Sequence, residues 1–172
     1  MSATCVVELT RIEDIKRLEP MLRAYITFVS DALRDDAGTS FDPDVLLENT
    51  LSKLDGVVPP QGRTFVARQR ARTIGMVFLR QSGPAAMEIK RLYVDPEGRG
   101  AGAGRCLVEA AIEAARAAGA VALRLDTTRN LTGAITLYET MGFAFRDVYP
   151  ESDHAKDDAL LPYMVFMEKH LD

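Results

Sequence analysis

Leu92-Tyr93-Val94-Asp95-Pro96-Glu97-Gly98-Arg99-Gly100-Ala101-Gly102-Ala103-Gly104-Arg105 is the stretch on which the reading of this chain turns. An apolar strand runs into a proline turn, then into four glycines within seven positions, then into an alanine-rich helix. Glycine lets the backbone come close to an anion, and a helix N-terminus offers unpaired N–H groups and a positive dipole end. Arg99 and Arg105 flank the loop and can neutralise phosphate charge. A tight strand-to-helix turn alone would need fewer glycines.

Three phosphate-binding patterns can be drawn through this loop. A P-loop ends in glycine-lysine-serine/threonine, whereas this one ends Gly104-Arg105-Cys106, so that pattern fails. A dinucleotide fingerprint passes through Gly98, Gly100 and Ala103, with Asp126 near the place of a ribose-binding acid. That pattern opens a longer doubly wound domain, however, and here antiparallel strands precede the loop while few elements follow. The third pattern is Arg99-x-x-Gly102-x-Gly104.

Outward from the loop, residues 86–94 read as a strand whose alternation breaks at Lys90-Arg91, the mark of a bulge or of one functional face. Residues 64–68 and 73–80 read as a hairpin before it, and residues 5–9 as a first strand. Thr10 and Glu13 suggest a capping box, and Ile12, Ile15, Leu18, Leu22, Ile26 and Val29 keep helical spacing, with a kink or break at Pro20. A short helix follows Asp42-Pro43, with Val45, Leu46 and Leu51 on its apolar side. Downstream, Leu107, Val108, Ala111, Ile112 and Ala115 form the core stripe of a helix that stops at Gly119. A strand at 121–125, a helix at 131–141 and strands at 143–148 and 163–168 complete an α/β chain with a mixed sheet.

With the third pattern, the sequence resembles the GNAT superfamily of N-acetyltransferases, whose acetyl-CoA signature is Gln/Arg-x-x-Gly-x-Gly/Ala. Arg91-Leu92-Tyr93-Val94-Asp95-Pro96, Leu125-Asp126-Thr127 and Leu137-Tyr138-Glu139-Thr140-Met141-Gly142-Phe143 extend the likeness over residues 64–148. The resemblance implies a single N-acetyltransferase domain over residues 1–172, built on a splayed mixed sheet flanked by helices, the acyl-CoA N-acyltransferase fold. It implies acetyl-CoA as donor, with the pantetheine arm between strands 87–94 and 121–126. Cofactor-binding residues would be Leu92, Tyr93, Val94, Arg99, Asn130 and Tyr138, with the pyrophosphate on Gly100, Ala101, Gly102, Ala103, Gly104 and Arg105. Tyr138 would also be the general acid and Glu88 the general base. A packed core aromatic is the other reading of Tyr138, and an ion-paired strand carboxylate beside Lys90 that of Glu88. The acceptor would be the primary amine of a small molecule or peptide. A homodimer is common in the family. A non-catalytic CoA or nucleotide-binding module, and a nicotinamide-binding oxidoreductase, are the alternatives from other classes.

Composition narrows the rest. The chain has 172 residues, 47% hydrophobic and 27% charged, which suits one domain with a real core. A net charge of −4 without interleaved stacking aromatics argues against nucleic acid. Two cysteines, Cys5 and Cys106, make no disulfide framework, and Cys106 reads as a small packed side chain. His154 among Asp153, Asp157 and Asp158 lacks the companions of a metal site, so no metal is expected. Residues 1–8 lack a basic and apolar leader, and no run reaches the roughly 20 apolar residues of a membrane helix, so a cytoplasmic protein is expected. Clusters at Asp31, Asp35, Asp36, Asp42, Asp44 and at Glu151, Asp153, Asp157, Asp158 predict a negative field that favours cationic amines.

Overall fold

The structure is a computed structural model describing residues 4–172; residues 1–3, part of the segment read as carrying no leader, lie outside the described residues. Strands and helices follow as β1 (Thr4–Leu9), α1 (Ile12–Lys16), α2 (Glu19–Ala37), α3 (Pro43–Leu51), β2 (Gly62–Gln69), β3 (Arg72–Gln81) and β4 (Ala86–Val94). After the glycine loop come α4 (Ala103–Ala117), β5 (Ala122–Thr128), α5 (Thr132–Thr140), β6 (Ala144–Arg146) and β7 (Met164–His170). The seven strands form one sheet in the order β1-β2-β3-β4-β5-β7-β6. Every neighbouring pair is antiparallel except β4–β5, which α4 joins as a crossover.

The pleat sends alternate residues to opposite faces, and each face has its own core. On one face Val77, Leu79, Ile89, Leu123 and Leu125 meet the α4 stripe of Leu107, Val108, Ala111, Ile112 and Ala115, as the helical spacing predicts. On the other, Val66, Met76 and Phe78 meet Ile15, Leu22 and Ile26 of α1 and α2.

Where the elements depart from expectation, the reasons are local. Arg11, not Thr10, caps α1, without a side-chain hydrogen bond. Pro20 divides the expected helix in two, because a proline fits the first turn of α2 and nowhere deeper. Asp42 caps α3 by accepting from the N–H groups of Asp44 (3.0 Å) and Val45 (3.2 Å). The phase of α3 differs from the expected one. Leu47 and Thr50 are its buried residues while Val45, roughly 200° away from Leu47 at about 100° per residue, is 53% exposed. Among the described residues no helix is long and apolar enough to cross a membrane.

The broken alternation at Lys90-Arg91 is a bulge. Met76 pairs with Tyr93 but Phe78 pairs with Lys90, so β4 carries one extra residue. Arg91 takes it up with φ 56°, a left-handed conformation uncommon for a residue with a Cβ. Lys90 and Tyr93 consequently point to the α2 face although their numbers differ in parity.

Candidate active site

Parallel pairing of β4 with β5 runs from Ala86↔Ala122 to Ile89↔Leu125 and stops. Both strands continue, so beyond this point they splay. Asp95 N–H donates to Ile74 on β3 (2.8 Å). By strand alternation the N–H and C=O groups of Leu92 and Val94 then face away from β3, into the gap. A cavity of about 800 Å³ opens there, from the glycine loop past α5 to Tyr25 and Phe28 on α2.

The loop end of the cavity is made of backbone. Gly102 caps α4 at φ 78°, a left-handed position that favours glycine. A Cβ built there meets nothing within 4 Å, so the conformation rather than crowding demands glycine. The first backbone bond into the helix is Cys106 N–H to the Gly102 carbonyl (3.1 Å), leaving the N–H groups of Ala103, Gly104 and Arg105 without intrahelical partners. Gly104 has a different reason. Its Cβ would lie 3.3 Å from Leu137, and its absence lets α4 and α5 close on the cavity. Arg99 donates from Nε to the Val94 carbonyl (3.1 Å) and stacks over Phe28 at 5.0 Å, while Arg105 donates to Thr140 Oγ1 (3.2 Å).

Tyr138 reaches the cavity wall from α5, 5% exposed, with its ring edge-on to Phe143 at 5.6 Å. Burial first, then the Tyr25 hydroxyl and Asp126, pushes its phenol well above the ordinary value, so it stays protonated. Asn130 donates from Nδ2 to the Ala32 carbonyl of α2 (2.6 Å), while its buried Oδ1 has no partner. The structure therefore brings Leu92, Tyr93, Val94, Arg99, Gly100, Gly102, Ala103, Gly104, Arg105, Asn130 and Tyr138 to one cavity, and leaves Ala101 exposed outside it.

Glu88 is the exception that matters. It is fully buried and does not reach the cavity wall. Its Oε2 accepts from Arg80 Nε (2.7 Å), and its Oε1 from the Tyr149 hydroxyl (2.6 Å), with Lys90 Nζ 3.5 Å away. The expected general base is thus an ion-paired strand carboxylate, the alternative the sequence left open. The pleat is the physical reason, because the Glu88 side chain lies where the strands are still paired, below the splay.

Lys90 and Asp126, to which sequence reasoning gave no role in acetyl transfer, do line the cavity. Lys90 Nζ lies 3.0 Å from Asp126 Oδ1, and Ser152 Oγ donates to Asp126 Oδ2 (2.8 Å). Burial raises the Asp126 carboxyl, but Lys90 and the Ser152 hydrogen bond outweigh it and hold the group below its usual range. For Lys90 burial works downward, and Asp126, Glu88 and Asp153 more than offset it. Arg91 is the other newcomer. One Nη donates to Thr50 Oγ1 of α3 (3.0 Å), and the guanidinium lies 5.8 Å from the Tyr25 ring. Its Nε is buried without a partner, a state that costs about 1–3 kcal/mol when left unsatisfied. The broken strand alternation was the sequence signal for both residues.

The late segment from Tyr149 to Asp153 packs behind this wall rather than on it, bonded to Glu88, Asp126, Arg80 and Lys90. The expected negative field is partly offset, because five of the nine residues in the two acidic clusters are ion-paired. Asp31, Asp36, Asp44 and Glu151 pair with Arg34, Arg129, Arg23 and Arg124. Asp153 pairs with Arg80 and Lys90, which overcome burial and lower its carboxyl to about 2. The cavity wall itself carries Lys90, Arg91, Arg99 and Arg105 against the single carboxylate of Asp126.

Comparison with known proteins places this geometry among relatives. The profile of the acetyltransferase (GNAT) family matches residues 27–143. A protein of Schizosaccharomyces pombe described as an uncharacterised N-acetyltransferase is 39% identical over 93 residues, 53% of this chain and 57% of that protein, so the match spans little more than half of that relative. The IAA acetyltransferase of Azospirillum brasilense is 36% identical over 125 residues, 72% of this chain and 77% of the relative. In fold, the PaiA N-acetyltransferase of Thermoplasma acidophilum, solved with coenzyme A, superposes with a TM-score of 0.66 over 98% of this chain and 99% of that one, at 19% identity.

Proposed function

The chain belongs to the acetyltransferase (GNAT) family, and from that premise we propose that it transfers the acetyl group of acetyl-CoA directly to a primary amine of a small molecule or peptide. The observation that carries this reading is the splay beyond Ile89 and Leu125, which gives the cavity a backbone-lined slot leading to an anion-binding helix start. Acetyl-CoA, when bound, supplies the thioester whose carbonyl carbon the amine attacks. Leu92 and the Val94 N–H offer the slot backbone groups that face away from β3, and Asn130 Oδ1 offers an unused acceptor. Ala103, Gly104 and Arg105 offer N–H groups to the pyrophosphate, with Arg99 and Arg105 as counter-charges.

The chemistry divides between two groups on the wall. Asp126, the one carboxylate among the described lining residues, receives the acceptor as its ammonium ion. Held below the usual range, it is a weak base, so the amine loses its proton to solvent. Because an alkylamine has a pKa of about 10.4, the rate climbs with pH as the free base becomes more abundant. The amine nitrogen bonds to the acetyl carbon, the C–S bond breaks, and Tyr138 donates its phenolic proton to the departing sulfur. As the N–C bond forms, the nitrogen sheds a second proton, which returns to Tyr138 through water.

The test is thiol release from acetyl-CoA over a panel of amines. Release that depends on an added amine is expected. Tight acetyl-CoA binding with no amine-dependent release would make the protein a non-catalytic CoA-binding module.

A further inference from the structure

We propose that the acceptor is an amino-carboxylate, held at its ammonium end by Asp126 and at its carboxylate end by Arg91; this rests on the acetyl-transfer reading above. The first support is a difference among the cations of the cavity wall. Arg99 and Arg105 stand at the glycine loop, where phosphates are expected. Lys90 is occupied by Asp126, Glu88 and Asp153. Arg91 faces the α2 and α3 side beside Tyr25 and Thr50, and no carboxylate among the described residues pairs with it.

Its surroundings present it to a ligand. Arg91 makes a single hydrogen bond, to Thr50 Oγ1, while Nε is buried and unpartnered. A guanidinium is a planar fork whose natural complement is a carboxylate bound at two points. The neighbouring Tyr25 ring and the Thr50 hydroxyl hold it from two sides, so little side-chain freedom is left to lose on binding. The bulge puts it there. Arg91 sits at φ 56° in the extra residue of β4, directly after Lys90, whose ammonium touches Asp126. Both ends of the acceptor are thus recognised from one turn of irregular strand, at the splay.

The surface charges point the same way. Five of the nine residues in the acidic clusters are ion-paired and the cavity wall is basic on balance, so a dication gains little on entering, whereas a zwitterion meets Arg91 at one end and, at the other, Asp126, whose charge it shares with Lys90. The aromatic rings of Tyr25 and Phe28 bound the same end of the cavity and leave room for an apolar side chain.

The experiment compares each L-α-amino acid with its own carboxamide as acceptor, and adds putrescine as a probe with no carboxylate. For the amino acids that are acetylated, kcat/KM is expected to exceed that of the amide at least tenfold. In Arg91→Gln the KM for the amino acid should rise at least tenfold, and Arg91→Lys should recover only part of the loss. Acetyl-CoA affinity, measured by calorimetry, should stay within twofold in both variants, which separates lost recognition from lost fold. Arg91→Gly, which suits the left-handed backbone, repeats the test should Gln disturb folding. Amides or putrescine preferred over the acids, or an Arg91→Gln enzyme that keeps its preference, would each overturn the proposal. A wild-type protein that fails to bind acetyl-CoA, or that binds it and acetylates none of the probes, would instead overturn the reading beneath it.

Discussion

The two ends of the cavity are built by different means. The glycine-loop end is walled by backbone, with N–H groups of the first α4 turn, strand groups of Leu92 and Val94, and two glycines whose identity follows from φ or from close packing. Toward the α2 end the wall is held by side chains: Lys90 and Asp126 line the cavity, and a network from β3, β4, β5 and the segment after β6 backs them through Arg80, Glu88, Tyr149, Ser152 and Asp153. A backbone site tolerates many sequences provided the glycines stay. A side-chain network fails when one member is removed, because its partners are left charged and buried.

That difference can be broken most forcefully at Gly102. Gly102→Asp places a negative side chain where the backbone presents its donors, on a residue whose φ of 78° disfavours any Cβ. Acetyl-CoA affinity should fall at least a hundredfold by calorimetry, with the network at the other end intact and Tm lowered only by the few degrees that a left-handed non-glycine residue costs. Unchanged binding would remove the anion site from the loop.

Glu88→Gln strikes the other end and should show the opposite pattern. Removing the charge leaves Arg80 and Lys90 short of a partner, and breaking a buried pair costs about 3–5 kcal/mol, enough to lower Tm by roughly 10 °C in a chain of this size. The pH–rate profile should keep its shape, since Glu88 lies below the splay. A shifted profile with normal stability would restore Glu88 as the base.

Tyr138 sharpens the comparison because it belongs to both descriptions, a packed ring from a helix and a hydroxyl on the cavity wall. Tyr138→Phe keeps the ring contact with Phe143 and deletes the proton donor. Turnover should drop at least tenfold, with acetyl-CoA affinity and Tm close to wild type. The loss should stay at the low end of general-acid effects, typically about a hundred- to ten-thousand-fold, since a thiol with a pKa near 8.5 already leaves well as thiolate. Normal turnover would return Tyr138 to the core.

The same contrast explains what could be read in advance. Strand order around the loop, the α4 stripe and the glycine cradle follow from local periodicity and spacing, and they stand where the sequence puts them. Val45 was misplaced because α3 is short and its phase is set by what Leu47 packs against, not by its own pattern. Glu88 was misplaced because its exposure depends on how far β4 and β5 stay paired, a property of two strands 36 residues apart. Asp126, Lys90 and Arg91 line one cavity only after the splay and the bulge bring them together. Only the broken alternation announced it.

The most direct measurement of the central claim, that acetyl-CoA lies along backbone between the splayed strands, is amide mapping by 15N NMR with and without acetyl-CoA. The largest shifts should fall on Leu92, Val94, Ala103, Gly104 and Arg105, with the paired stretch from Ala86 to Ile89 nearly unmoved. Large shifts confined to the α2 end, with the first turn of α4 unaffected, would contradict it.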